Sequence, residues 1–181
     1  IKDYVFDWDR MLALDGNTAP YLLNAYVRVV SIFRKGDIDR QSINRQNLFI
    51  KVPAERMLAL KLYQYAEAVE AVSDRLEPHR LCTYLYELAS CLHAFYESCP
   101  ILKDGVTQEE RGSRLVLSDL CARVMHHGLG LLGIDTVEHI YLISTMTLSG
   151  EVSPLVLSIV NAIALRINMA LVNTHSILIL S

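Results

Sequence analysis

The sequence predicts an all-α fold: an antiparallel helical bundle preceded by a junction helix. Two observations carry this prediction. Apolar residues recur at alternating spacings of three and four over four long stretches, and those stretches are bounded by capping residues, prolines or glycines. The connections between the later stretches are of modest length, for which antiparallel packing is the natural solution.

The 181 residues fit one domain with room for part of another. Residues 1–36 read as the end of one unit plus a junction helix, 37–52 as a polar linker, 53–140 as the bundle, and 141–181 as an apolar extension of unknown role. Asp15-Gly16-Asn17-Thr18 is a turn cluster. Asn17 or Thr18 can cap the helix that follows, and Pro20 is tolerated in its first turn, where a missing N–H costs nothing. Leu22, Tyr26, Val29 and Phe33 form its buried stripe, and Gly36 stands at its expected end. Tyr21, Asn24 and Arg28 lie off that stripe on one flank, where spacings of three and four let them meet a ligand together.

Pro53 opens the next helix, with Leu58, Leu62, Tyr65, Val69, Val72 and Leu76 as one face. After Pro78 the pattern resumes with Leu81, Leu85, Leu88, Leu92 and Phe95. Thr107 and Glu110 form a T-x-x-E capping box, and the helix it opens carries Leu117, Leu120, Cys121 and Val124 until Gly128, Gly130 and Gly133 break it. From Tyr141 onward only Glu151 and Arg166 are charged. The apolar run between those two is shorter than the roughly 20 residues a membrane span needs. A membrane partner is therefore not expected.

Cys82, Cys91, Cys99 and Cys121 lack the close C-x-x-C pairs of zinc or dithiol sites and read as free thiols, which suits a reducing cytosol. Net charge −3 excludes a basic protein that coats nucleic acid indiscriminately; DNA is not an expected partner, and RNA recognition must work through a local patch. Asp7 and Asp9 flank Trp8, but no His or Lys is placed by sequence to share acid–base work, so capping or ion pairing is the simpler reading. His126-His127 is a polar helix end, since paired helical metal ligands sit at i,i+4, and His93 and His139 are equally plain alone. No phosphate-cradling glycine loop or nucleophile elbow is present, so no catalytic, cofactor-binding or metal residue is assigned. What remains is aromatic: Tyr21 beside Asn24 and Arg28, with Tyr84, Tyr86 and Tyr96 on the bundle. Aromatic faces beside arginines are what splayed single-stranded bases stack on.

These residues carry a resemblance. DWDRMLALDGNTAPYL is similar to the arginyl-tRNA synthetase pattern D-W-D-x-M-L-x-F-E-G-N-T-A-P-Y, and the similarity continues through ERMLALKLYQYAEAV, PHRLCTYLYELASCLHAFYESCPIL, SRLVLSDLCARV and GLGLLGIDTVEHI, nearly all of residues 3 to 140. The resemblance implies the all-helical anticodon-binding domain of a class I synthetase. Arginine tRNA is the implied partner; arginine and ATP with Mg would be handled by a catalytic core upstream of Ile1, with its HIGH-like and KMSKS-like motifs. It further implies a tRNA site built from Asp15, Gly16, Asn17, Tyr21, Asn24, Arg28, Tyr96 and Ile140. The family commonly has tyrosine where Asn24 stands. It usually ends in V-E-R-M, whereas Val137-Glu138-His139-Ile140 runs on into the tail, so a free terminal carboxylate is not available there. A free-standing helical RNA-binding module and a helical interaction bundle without RNA binding are the alternatives.

Overall fold

The computed structural model describes residues 7–43 and 48–137. The expected extension 141–181 and the site candidate Ile140 lie outside them. The described residues form six α-helices and one 3-10 turn, with no strand among them: α1 (Trp8–Leu12), α2 (Ala19–Lys35), the 3-10 turn Arg40–Ser42, α3 (Pro53–Tyr63), α4 (Tyr65–Arg75), α5 (His79–Ser98) and α6 (Gln108–Leu131). No helix among them is long and apolar enough to cross a membrane.

α5 is the centre of the assembly. Leu81, Leu85, Leu88, Leu92 and Phe95 are all buried, as their spacing predicts, and α2, α3, α4 and α6 each pack against this helix. α2 contributes Leu22, Tyr26, Val29 and Phe33 to the same core and lies against α6 as well as α5. Its start is fixed by Thr18, whose hydroxyl accepts from the Tyr21 amide at 3.3 Å, so Thr18 and not Asn17 is the cap. At the start of α6 the expected capping box forms: Thr107 Oγ1 accepts from the Glu110 amide and Glu110 accepts from the Thr107 amide.

Three expectations are corrected. The helix opened by Pro53 is two helices, α3 and α4, separated at Gln64, whose ψ of −2° tips the chain out of the α geometry while its amide reaches back to both Leu60 O and Leu62 O. Leu76 is 79% exposed and not core, because it sits in the left-handed conformation (φ 54°) that ends α4; Leu120 is 42% exposed, outside the arc that buries Leu117, Cys121 and Val124. Gly128 and Gly130 do not end α6, which runs to Leu131; Gly133, at φ 74°, follows it. At Gly128 the reason is packing. A Cβ there would stand 2.8 Å from Leu85 Cδ2, so glycine lets α6 approach α5 closely.

Arg40, Phe49 and Lys51, between α2 and α3, are held to α6 by polar contacts that the apolar pattern does not announce. Arg40 Nε donates to Asp119 at 2.9 Å, the Phe49 amide donates to Ser113 Oγ at 3.0 Å, and Lys51 pairs with Glu110 at 3.3 Å. Beneath them lies a buried ion pair. Arg114 Nε donates to Glu55 Oε1 at 2.8 Å and its Nη1 to the Pro100 carbonyl at 2.7 Å, while Glu55 Oε2 accepts from the Lys51 and Val52 amides at 2.8 and 3.0 Å. Glu55 thus caps α3 and anchors it to α6 with one carboxylate. The four cysteines are free thiols.

Candidate nucleic-acid interface

The candidate residues start in the loop between α1 and α2. Asp15, Gly16 and Asn17 are exposed, and Gly16 takes φ 74°, a left-handed conformation that glycine adopts without cost. Thr18 closes the loop: its hydroxyl donates to the Ala13 carbonyl at 2.6 Å, and its amide donates to Gly16 O at 3.0 Å. The loop therefore presents its polar tip from a fixed base, one turn before Tyr21.

Tyr21 is half-buried against α5. Tyr86 and His93 stand seven residues apart on that helix, two turns and about 10.5 Å of rise along the same face. One ring fits midway. Tyr21 fills the place, its centroid 5.4 Å from that of Tyr86 and 5.3 Å from that of His93, edge-on to the imidazole. Its hydroxyl lies 3.3 Å from His93 Nδ1. Two turns further along α2, the exposed Arg28 guanidinium lies over the Tyr96 ring at 5.6 Å, a cation–π contact. Tyr96 is 40% exposed, so this pair stands at the surface. Burial pushes the His93 pKa below the ordinary histidine range and the Arg28 charge pushes it the same way, while Glu97 opposes them.

The structure thus brings Tyr21, Arg28 and Tyr96 to one α2–α5 face, with the half-buried Asn24 between the first two in sequence. It adds His93, and it places Tyr86, one of the bundle tyrosines, on the other side of Tyr21. The identity of His93 gave no signal, but its seven-residue spacing from Tyr86 on an amphipathic helix does. Tyr84 does not join this face: it is buried, its hydroxyl donates to the Lys61 carbonyl at 2.7 Å, and burial drives its pKa strongly upward. Among the described residues no group of His, Cys, Asp and Glu is arranged to hold a metal ion. His126 and His127 bond separately, to Thr136 Oγ1 at 2.7 Å and to the Tyr65 hydroxyl at 2.6 Å.

An exposed aromatic ring with a guanidinium beside it, a second ring set in a cleft and a polar glycine loop at one end form a surface suited to unstacked bases and phosphates. Residues 22–140 match the family model described as the DALR anticodon binding domain. Among curated proteins the chain is similar to the arginine–tRNA ligase of Pseudoalteromonas atlantica, 54% identical over 136 residues, and to that of Escherichia coli O9:H4, 47% identical over 136 residues; each match covers 75% of this chain. The chain spans 23% of the length of those relatives. Among solved structures it is similar to the arginyl-tRNA synthetase of Plasmodium falciparum, with a TM-score of 0.69 and 30% identity over 77% of this chain and 24% of that one. The Thermus thermophilus arginyl-tRNA synthetase gives a TM-score of 0.64 and 33% identity, covering 71% of this chain and 22% of that one.

Proposed function

The chain belongs to the DALR anticodon binding domain family, and from that premise we propose that it grips the anticodon arm of an arginine tRNA through the α2–α5 face. The observation that carries the reading is the convergence of Tyr21, Arg28 and Tyr96 from two helices onto one surface beside the Asp15–Asn17 loop. Tyr21 and Tyr96 are the stacking rings. Arg28 supplies the local positive charge that a chain of net charge −3 needs at an RNA contact. Asn24 offers an amide to a base edge where a ring would only stack.

The binding serves arginylation of the tRNA in translation, in the cytoplasm. The identities with arginine–tRNA ligases support this reading. ATP with Mg and arginine belong to ligase chemistry carried by sequence outside these 181 residues. The α2–α5 face contributes recognition. It holds the anticodon end, and any effect on the reaction runs through the position of the bound tRNA.

A gel shift with two RNA hairpins tests the proposal, one carrying an arginine anticodon loop and one the same stem with a scrambled loop. The chain should retard the first at lower concentration than the second. Equal affinity for both, or none for either, overturns it.

A further inference from the structure

We propose that His93 is the positioning residue of this interface: its Nδ1 accepts the Tyr21 hydroxyl proton and so fixes the ring on which a base stacks. The inference rests on the RNA-binding reading of the same face. Tyr21 sits between Tyr86, tilted by 47° at a centroid distance of 5.4 Å, and His93, edge-on at 5.3 Å, so neither ring lies flat on its face and both limit its swing. Aromatic contacts alone are tolerant of ring tilt. A hydrogen bond from the far end of the ring, at 3.3 Å, fixes the direction of the Cβ–Oη axis, and the Tyr86 and His93 rings beside it limit rotation of the Tyr21 ring about that axis.

The charge state of His93 agrees with the role. Burial and the neighbouring Arg28 push the His93 pKa below the ordinary histidine range, with Glu97 opposing them, which favours the neutral imidazole. A neutral imidazole with its proton on Nε2 leaves a lone pair on Nδ1, and a phenol O–H is the natural donor to it. Arg28 is itself drawn over Tyr96. The same arginine therefore tunes His93 and supports the second ring, linking the two platforms across α2 and α5. A ring held in place before RNA arrives has less rotational freedom to lose on binding.

Two substitutions separate hydrogen bonding from packing. H93N keeps a polar atom near the Nδ1 position but loses the ring; H93F keeps the ring but loses the bond. Each is made in the full 181-residue chain and titrated with the arginine-anticodon hairpin. H93F should weaken binding by roughly three- to tenfold, the scale of one net hydrogen bond, and H93N should weaken it less. In a Tyr21→Phe background, where the hydroxyl is gone, H93F should add nothing. The reverse order, with H93F near wild type and H93N weak, assigns His93 to packing and overturns the proposal, as does full additivity with Tyr21→Phe. Long-range proton–nitrogen NMR on the unaltered chain gives a second readout that needs neither RNA nor a variant. Nδ1 should appear unprotonated and Nε2 protonated at pH 7; the opposite tautomer overturns the assignment. A wild-type chain that binds neither hairpin overturns the RNA reading and this role with it. Failure of the variant order alone overturns only the role.

Discussion

Replacing Arg114 with Met tests the architecture that presents the interface. Arg114 and Glu55 are both buried, and the guanidinium bridges Glu55 to the Pro100 carbonyl. R114M keeps the apolar stem but leaves the Glu55 carboxylate buried with only the Lys51 and Val52 amides for company. Removing one partner of a buried pair costs about 3–5 kcal/mol, which is a large part of the roughly 5–15 kcal/mol that holds a domain folded. The melting temperature, followed by circular dichroism at 222 nm, should fall by about 6–20 °C at pH 7. The pH dependence is specific. In the intact protein burial raises the Glu55 pKa, but the Arg114 hydrogen bond, the two amides and the Arg114 charge together outweigh it and leave it lowered. A lowered carboxylate pKa contributes stability above the unfolded value that is lost as pH falls through the folded one. In R114M the Arg114 contributions vanish and the pKa moves up, so acid relieves the uncompensated charge. The gap between wild type and R114M should therefore narrow from pH 7 toward pH 4, and the second change E55Q should restore part of the loss at pH 7. A gap independent of pH, or an E55Q/R114M double variant no more stable than R114M, refutes the reasoning.

Other expectations concern the α6–α5 contact, the loop and the chemistry. G128A gains helix propensity of up to about 1 kcal/mol but drives a methyl against the fully buried Leu85, so a net loss of about 1 kcal/mol in urea unfolding is expected, recovered by L85V. T18A removes both the cap on α2 and the bond to Ala13 O and should cost about 1 kcal/mol in the same assay while weakening hairpin binding through the released loop. The purified 181-residue chain should show no ATP–pyrophosphate exchange with arginine and tRNA present; measurable exchange would contradict the absence of a phosphate-cradling motif in its sequence.

The buried stripes of α2 and α5 were legible because each residue repeats an apolar choice at helical spacing, and burial follows from that repetition at every position. The capping box of α6 was legible because it is local. The break at Gln64 was not: Tyr65, Val69 and Val72 continue the stripe without a Pro or Gly to interrupt it, and the turn shows only in the backbone angles. Gly128 misled for a related reason, since a glycine that stops a helix and one that admits a neighbouring helix look alike in a single sequence. The polar anchors Arg40–Asp119 and Glu55–Arg114 join residues 79 and 59 positions apart, beyond any local pattern. At the interface the α2 flank was readable from spacing, and Tyr96 stood among the bundle tyrosines before the resemblance gave it a role in the tRNA site. The cleft around Tyr21 needed the structure, because only packing of α2 on α5 sets His93 and Tyr86 on either side of it.

The most direct measurement of the central claim is the dissociation constant of an arginine-anticodon hairpin for the wild-type chain and for Tyr21→Ala, with the helical circular dichroism of both recorded. Loss of a stacked base contributes about 1–3 kcal/mol, so Y21A should weaken binding by at least about fivefold while its helical signal stays unchanged. An unchanged dissociation constant with an intact helical signal would remove Tyr21 from the RNA site and contradict the account.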